Sequence, residues 1–412
     1  MEIRRLRRLL RGAQHDTTDE SELRAGPGPQ PATATIGTAA VRGAPGFVRP
    51  VEEDDLTAIA ELHSRLMPGQ RQAVGGTLRE QFSRLLLQHP WRNQYLRSLV
   101  YQESGGRIAG CIGVMPRPMV FEGRPVTAAI SHSFMVEPGT RPMLAALALA
   151  QNFLNGPQDL SLAETGKVSR KLWERAGGSV SLLYSLCWTR PLKPSRYALS
   201  FLRRRGLPRP FEWGLKPACD LLDKLAPLAG RSLRPSSPAT FAHAGLASEL
   251  ECDGYCATLA GAVRTRALYP RYDRQAAEWL LQTLAQKNGH GDFHRVLLRN
   301  SQRETVGWYL YCLEPGGGVG TVIQLGASDG CADMVFDHLC RHASDHGAIA
   351  VSGQLDPAFF HTLAARDCMF HHDGGASFLV HSRNPEILQA IHRGDAFLSR
   401  LEGEWWISFI LS

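Results

Sequence analysis

Residues Val136-Glu137-Pro138-Gly139-Thr140-Arg141-Pro142 leave an extended segment and open a helical one. A loop feeding a helix N-terminus presents backbone N–H groups that have no intrahelical partner, and such donors suit a pyrophosphate. Pro142 sits well as the first helical residue, where its missing N–H costs nothing. Strand, loop and helix in this order point to a nucleotide-type cofactor.

Acid–base chemistry has few candidates nearby. On an uninterrupted strand His132 shares parity with Phe134 and Val136, so all three would lie on one face. An imidazole titrates near neutrality and could act as a general base, although a half-buried structural histidine fits the position equally well. Tyr184 is either a proton donor or a core tyrosine, and Glu164 reads as the cap of a helix over Lys167–Ala176. Gly316-Gly317-Gly318-Val319-Gly320 joins two strands with no helix directly after it, which makes it a hairpin turn rather than a phosphate loop. His371 and His372 are adjacent on a strand and point to opposite faces, so they do not chelate together. Cys252 and Cys256 have no second close pair to complete a zinc site. His-Glu-x-x-His does not occur, which removes one common class of metal-dependent hydrolase.

The 412 residues, 43% of them hydrophobic, are enough for two cored domains plus tails. No apolar run is long enough to cross a bilayer. Nine scattered cysteines, an odd number, fit reduced thiols in a cytoplasmic protein. Of the +7 formal charge, the first twelve residues carry +4, with Arg4, Arg5, Arg7, Arg8 and Arg11 against Glu2. The remainder is nearly balanced, so no phosphate-binding stripe is expected and nucleic acid is discounted. Residues 1–45 read as a disordered basic arm, with weak contact to an anionic membrane surface as its one specific possibility.

Order is expected from Phe47, with a short strand, a helix through Leu56, Ile59 and Leu62, and a second helix around Leu78–Leu87. Strands Leu99–Tyr101 and Ile108–Val114 flank the turn at Ser104–Gly106, and Glu122-Gly123 joins Met119–Phe121 to a long strand Val126–Val136. Then follow a helix Met143–Asn155, a strand Leu160–Ala163, the helix Lys167–Ala176 and a closing strand Ser179–Trp188. Residues 191–247 read as a connector with one or two helices. Beyond it the pattern recurs: strands Phe293–Arg299, Thr305–Cys312 and Thr321–Ala327, a helix Cys331–Asp345, a strand Ala348–Leu355, a helix to Ala365, and Ser377–His381 ending the sheet. The architecture predicted is α/β in the mixed α+β sense. It comprises units at 46–190 and 248–412, each a central, mostly antiparallel mixed sheet flanked by helices.

These residues resemble the GNAT superfamily, the acyl-CoA-dependent N-acyltransferases. Val48 to His63 looks like the family's opening strand and helix, and Arg107-Ile108-Ala109-Gly110-Cys111-Ile112-Gly113 like its central strand pairing. Phe134 to Arg141 falls at its fourth strand and pyrophosphate loop, and Trp173-Glu174-Arg175-Ala176-Gly177-Gly178 resembles its late helix and glycine stop. The likeness covers about 140 residues, and extends across the second unit only as topology. Leu144 stands where the family loop has Gly, Trp173 stands where its late helix often has Tyr, and Ser328-Asp329-Gly330 replaces the loop in the second unit.

The resemblance implies that the backbone of Phe134, Met135 and Val136 pairs with the pantetheine arm of acetyl-CoA or another acyl-CoA. Backbone donors from Gly139, Thr140, Arg141, Met143 and Leu144 would receive the pyrophosphate. His132 would serve as base and Tyr184 as acid while a small-molecule amine attacks the thioester directly. Two other functions remain open at this point. One is a catalytically degenerate GNAT-like binding or scaffold protein; the other is an aminoacyl-tRNA-dependent transferase, which needs a basic groove.

Overall fold

In the computed structural model, the described residues are 46–67, 77–139, 142–204, 209–225, 247–286, 290–314, 317–372 and 376–411. The N-terminal arm, Thr140 and Arg141 lie outside them. Residues 44–412 form one compact unit.

The first sheet begins with β1 (Gly46–Pro50), β2 (Leu99–Glu103), β3 (Ile108–Phe121), β4 (Arg124–Val136) and β5 (Leu160–Thr165), hydrogen-bonded in that order. Only the β4–β5 pair among them is parallel. The expected break between Val114 and Met119 is absent, and β3 runs unbroken through Pro116 and Pro118. Proline lacks a donor but is tolerated where that edge of the strand needs none. On this edge β2 pairs only as far as Ile112, and a short strand at Leu268–Pro270 pairs only from Met119. The carbonyl of Pro118 points the same way, accepting from the Arg271 N–H.

After β5, the stretch expected as one strand is two. Ser179–Ser181 (β6) is separated by a 3-10 turn at Leu183–Ser185 from Leu186–Pro191 (β7). They belong to different sheets. β7 crosses into the second sheet, which also contains β8 (Ala247–Glu249). The Leu268–Pro270 strand is β9, and the second sheet continues with β10 (Asp292–Arg299), β11 (Thr305–Leu313), β12 (Val319–Ala327), β13 (Ala350–Gln354) and β14 (Met369–His372). Conversely β15 (Ser377–His381), expected to end the second sheet, lies in the first between β5 and β6. The first half thus lends β7 to the second sheet, and the second half lends β9 and β15 to the first. β12–β13 is the parallel pair of the second sheet, with its other pairs antiparallel.

The exchange is cemented by one large apolar cluster. It joins Ile59, Phe82 and Ile130 to Leu280, Trp308, Phe397 and Trp406, residues from both halves. Full burial of such side chains is worth roughly 1.5–3 kcal/mol each, so separating the halves would expose a large apolar area. All nine cysteines are free thiols. No helix among the described residues is long and apolar enough to cross a membrane.

Candidate active site

The site is built on the last residues of β4. Pairing of β4 with β5 ends at Ile130 and Leu162, and beyond that the strands part, leaving Ser131–Val136 without a strand partner on that side. The same stretch is bulged. Gly113 faces His132 and Cys111 faces Met135, so three steps on β4 match two on β3, and Ser133 takes φ +48°. A bulge re-aims every residue after it. Ala128, Ile130 and Met135 consequently share the large core, while Phe134 and Val136 pack with Ala129 on the other side. The expected common face of His132, Phe134 and Val136 does not exist.

The segment that fills the parting comes from the far end of the chain. The Ser133 N–H donates to Glu404 Oε1 at 2.7 Å. The Glu404 and Trp405 N–H groups donate to Glu164 Oε2 at 2.9 and 2.8 Å. Glu164 therefore does not cap the helix Lys167–Arg175, whose N-cap is Gly166 without a side-chain bond. It holds the 404–405 backbone against the mouth of the parting. The fit is close enough that a Cβ on Gly403 would lie 2.3 Å from the Glu164 carboxylate. Burial, with Glu164 beside it, pushes the Glu404 carboxyl up to about 7 despite the Ser133 N–H. A carboxyl tuned to neutrality on a strained backbone N–H is a poised acid–base group.

The two acid–base candidates named from sequence, His132 and Tyr184, are both buried. His132 is fully buried with Nδ1 3.2 Å from Ser133 Oγ, its Nε2 lacks a partner among the described residues, and burial pushes it down to about 3. Its ring lies directly against Gly113, where a Cβ would come within 2.1 Å. Tyr184 is also buried. Its hydroxyl donates to the Ala396 carbonyl and accepts from the Ala396 N–H, and desolvation pushes its pKa up. It locks the strand-exchange region and does not meet His132 at a common site. Glu404 and Glu164 were not legible as a pair in the sequence, because 240 positions separate the Glu164 side chain from the backbone it binds.

The cofactor-side residues are arranged as a strand followed by a helix. Phe134 and Val136 are half-buried, Met135 is buried and Gly139 exposed. Glu137, salt-bridged to Arg65 and Arg107, fixes the exit of β4. The helix Pro142–Leu154 then begins with Met143 and Leu144 exposed at 60% and 42%. The walls of the parting carry unsatisfied donors. Thr165 Oγ1 and Trp173 Nε1 are buried with no partner among the described residues, and Trp173 packs against Phe134 with ring centroids 5.9 Å apart. A strand edge without a strand partner, orphaned buried donors and a following helix suit the amides and pyrophosphate of an acyl-CoA.

The architecture has solved counterparts. A probable N-acyltransferase from Enterococcus faecalis V583 superposes with a TM-score of 0.51 at 9% identity, over 82% of this chain and 72% of that one. A GCN5-related N-acetyltransferase from Anabaena variabilis ATCC 29413 gives 0.50 at 11% identity, over 82% and 73%. The chain has the GNAT fold. A lesser likeness, TM-score 0.46 at 12% identity, is to Saccharomyces cerevisiae N-myristoyltransferase with bound myristoyl-CoA. No protein family and no curated protein matches the sequence. In this chain β4 and β5 part beyond Ile130, and the bulge at Ser133 sits at that parting.

Proposed function

We propose that this protein is an N-acyltransferase that moves an acyl group from an acyl-CoA to an amine, with Glu404 as general base. The observation that carries the reading is the Ser133 N–H···Glu404 contact at the mouth of the parted strands. Ser133 offers a backbone donor to a thioester carbonyl as negative charge develops on its oxygen. When that oxygen takes over the N–H, the Glu404 carboxylate is released beside the reacting carbon to remove a proton from the incoming ammonium. The C–N bond forms as the C–S bond breaks, and the nitrogen's second proton passes through water to the departing thiolate. Trp173 can steady the thiolate through its indole N–H but cannot protonate it.

The acceptor fits a cavity of about 860 Å³ lined by Tyr197, Phe201, Thr321, Phe370, Arg400 and Trp405, among others. Trp405 adjoins Glu404 in the chain, and Tyr197 and Phe201 come from the helix Pro194–Arg204 in the connector. Aromatic walls favour an amine with apolar bulk.

The test is thiol release from a panel of acyl-CoAs with amine acceptors, together with calorimetric acyl-CoA binding. Saturable binding and acceptor-dependent thiol release support the proposal. Binding without turnover would favour the degenerate binding-protein reading, which Trp173 in place of a tyrosine also supports. No binding of any acyl-CoA would overturn the proposal.

A further inference from the structure

Away from the parted strands, the second sheet carries a histidine cluster that acyl transfer does not use. His294 on β10 lies directly opposite Tyr311 on β11, and the two rings stack with centroids 4.6 Å apart. The helix Ala332–Asp345 packs over β11 and β12 and brings His342 in its last turn and His346 at its C-cap. Residues four apart share a helix face, so both imidazoles point toward His294. Their centroids are 4.2 Å apart, and that of His346 is 4.7 Å from His294.

One ring nitrogen from each of the three lies within 4.8 Å of the others. Nitrogens sharing one tetrahedral zinc stand about 3.4 Å apart at bond lengths of about 2.05 Å, so modest closure of the exposed His346 ring completes the set. The outer partners are already in place. His346 Nδ1 donates to the His342 carbonyl at 2.7 Å, which fixes its tautomer and leaves Nε2 as a lone-pair donor. His342 Nδ1 lies 2.9 Å from the Tyr311 hydroxyl, and when that Nδ1–H donates to the hydroxyl oxygen the lone pair is on Nε2. Metal-binding histidines typically hold their second nitrogen in this way. The ring nitrogens of His294 have no protein partner among the described residues. The helix C-terminus also favours a cation.

We propose that His294, His342 and His346 form a three-histidine site for a borderline divalent transition ion of the zinc class. Its fourth position faces a cleft of about 330 Å³ bordered by Ser248, Glu249 and Arg295. Three imidazoles with an open position suit zinc, cobalt or nickel and not the oxygen-seeking magnesium or calcium. The bound ion would clamp β10 to the end of the helix.

The experiment uses the full chain without a polyhistidine tag, stripped with chelator, then titrated calorimetrically with Zn2+ and spectroscopically with Co2+. The expected result is one equivalent of Zn2+ bound and a visible tetrahedral Co2+ band. His346→Ala, at an exposed position, and His294→Asn should each weaken binding at least 10-fold. Tyr311→Phe should weaken it roughly 10–100-fold through the lost outer partner. Circular dichroism establishes that each variant is folded. Absence of stoichiometric binding, or binding unchanged in folded His346→Ala and His294→Asn, would overturn the proposal.

Discussion

The Ser133 backbone N–H and the Glu404 carboxylate, 271 positions apart in the chain, meet at 2.7 Å where β4 leaves β5. The bulge turns the N–H into the parting, and Glu164 holds the backbone that delivers the carboxylate. This one contact ties the only strained residue of β4 to a carboxyl raised to about 7.

Glu404→Gln should leave the fold intact, because the amide oxygen still accepts from Ser133. Turnover with a saturating acyl-CoA should fall about 10²–10⁴-fold, the usual worth of a general base. In the wild type, kcat/KM should rise with pH through an acidic limb near pH 7, the range to which Glu404 is raised. A Gln variant that keeps both the rate and the limb would remove Glu404 from the reaction.

Leu144→Glu places a negative charge at an exposed position on the first helical turn, where pyrophosphate is proposed to dock. Acyl-CoA affinity should drop at least 10-fold while the melting temperature stays within a degree or two. Unchanged affinity would move the pyrophosphate off this helix end.

His132 makes stability pH-dependent. Its folded pKa is depressed to about 3 from an ordinary 6.5, so the unfolded chain gains a proton in this window and the folded chain does not. The associated stability is fully present above pH 6.5 and is lost as pH falls, by about 1.4 kcal/mol per pH unit. Glu404 acts in the opposite direction between pH 7 and 4.5, since its folded carboxyl holds its proton longer. Comparison with His132→Asn cancels that contribution. Denaturant unfolding should show the stability of the wild type relative to the variant shrinking steadily from pH 6.5 to 4; a constant difference would contradict a neutral buried imidazole.

Gly113→Ala would drive a methyl group to 2.1 Å from the His132 ring. Overpacking of this kind costs about 1–3 kcal/mol. His132→Ala should recover part of the loss in the double variant, a coupling measurable by urea denaturation. Additive losses would mean that the ring is not what Gly113 accommodates.

A fragment spanning 46–190 lacks β15, which sits between β5 and β6. It should show no cooperative unfolding transition, whereas the intact chain unfolds as one unit. A cooperatively folded fragment would show that the exchanged strand is dispensable.

Local chemistry was legible in the sequence. Strand–loop–helix order around Val136–Pro142, the Glu122–Gly123 turn and the helix stop at Gly177-Gly178 depend on neighbouring residues, and the structure places them as expected. So did the identity of β4, whose alternating small and apolar residues need no distant partner to read as a strand. The common face of His132, Phe134 and Val136 was misread because period-2 alternation assumes no bulge, and the bulge depends on how β3 registers against β4.

What the sequence by itself determined was the order of most of the strands and helices, and through that order the resemblance to the GNAT fold. Only the tertiary structure decided which sheet β7 and β15 join, that Glu404 reaches the Ser133 N–H, and that His294, His342 and His346 converge. The physical reason is range. Turns and caps are fixed by hydrogen bonds within a few residues. Strand partners, burial and pKa shifts are instead set by groups that only folding brings into contact.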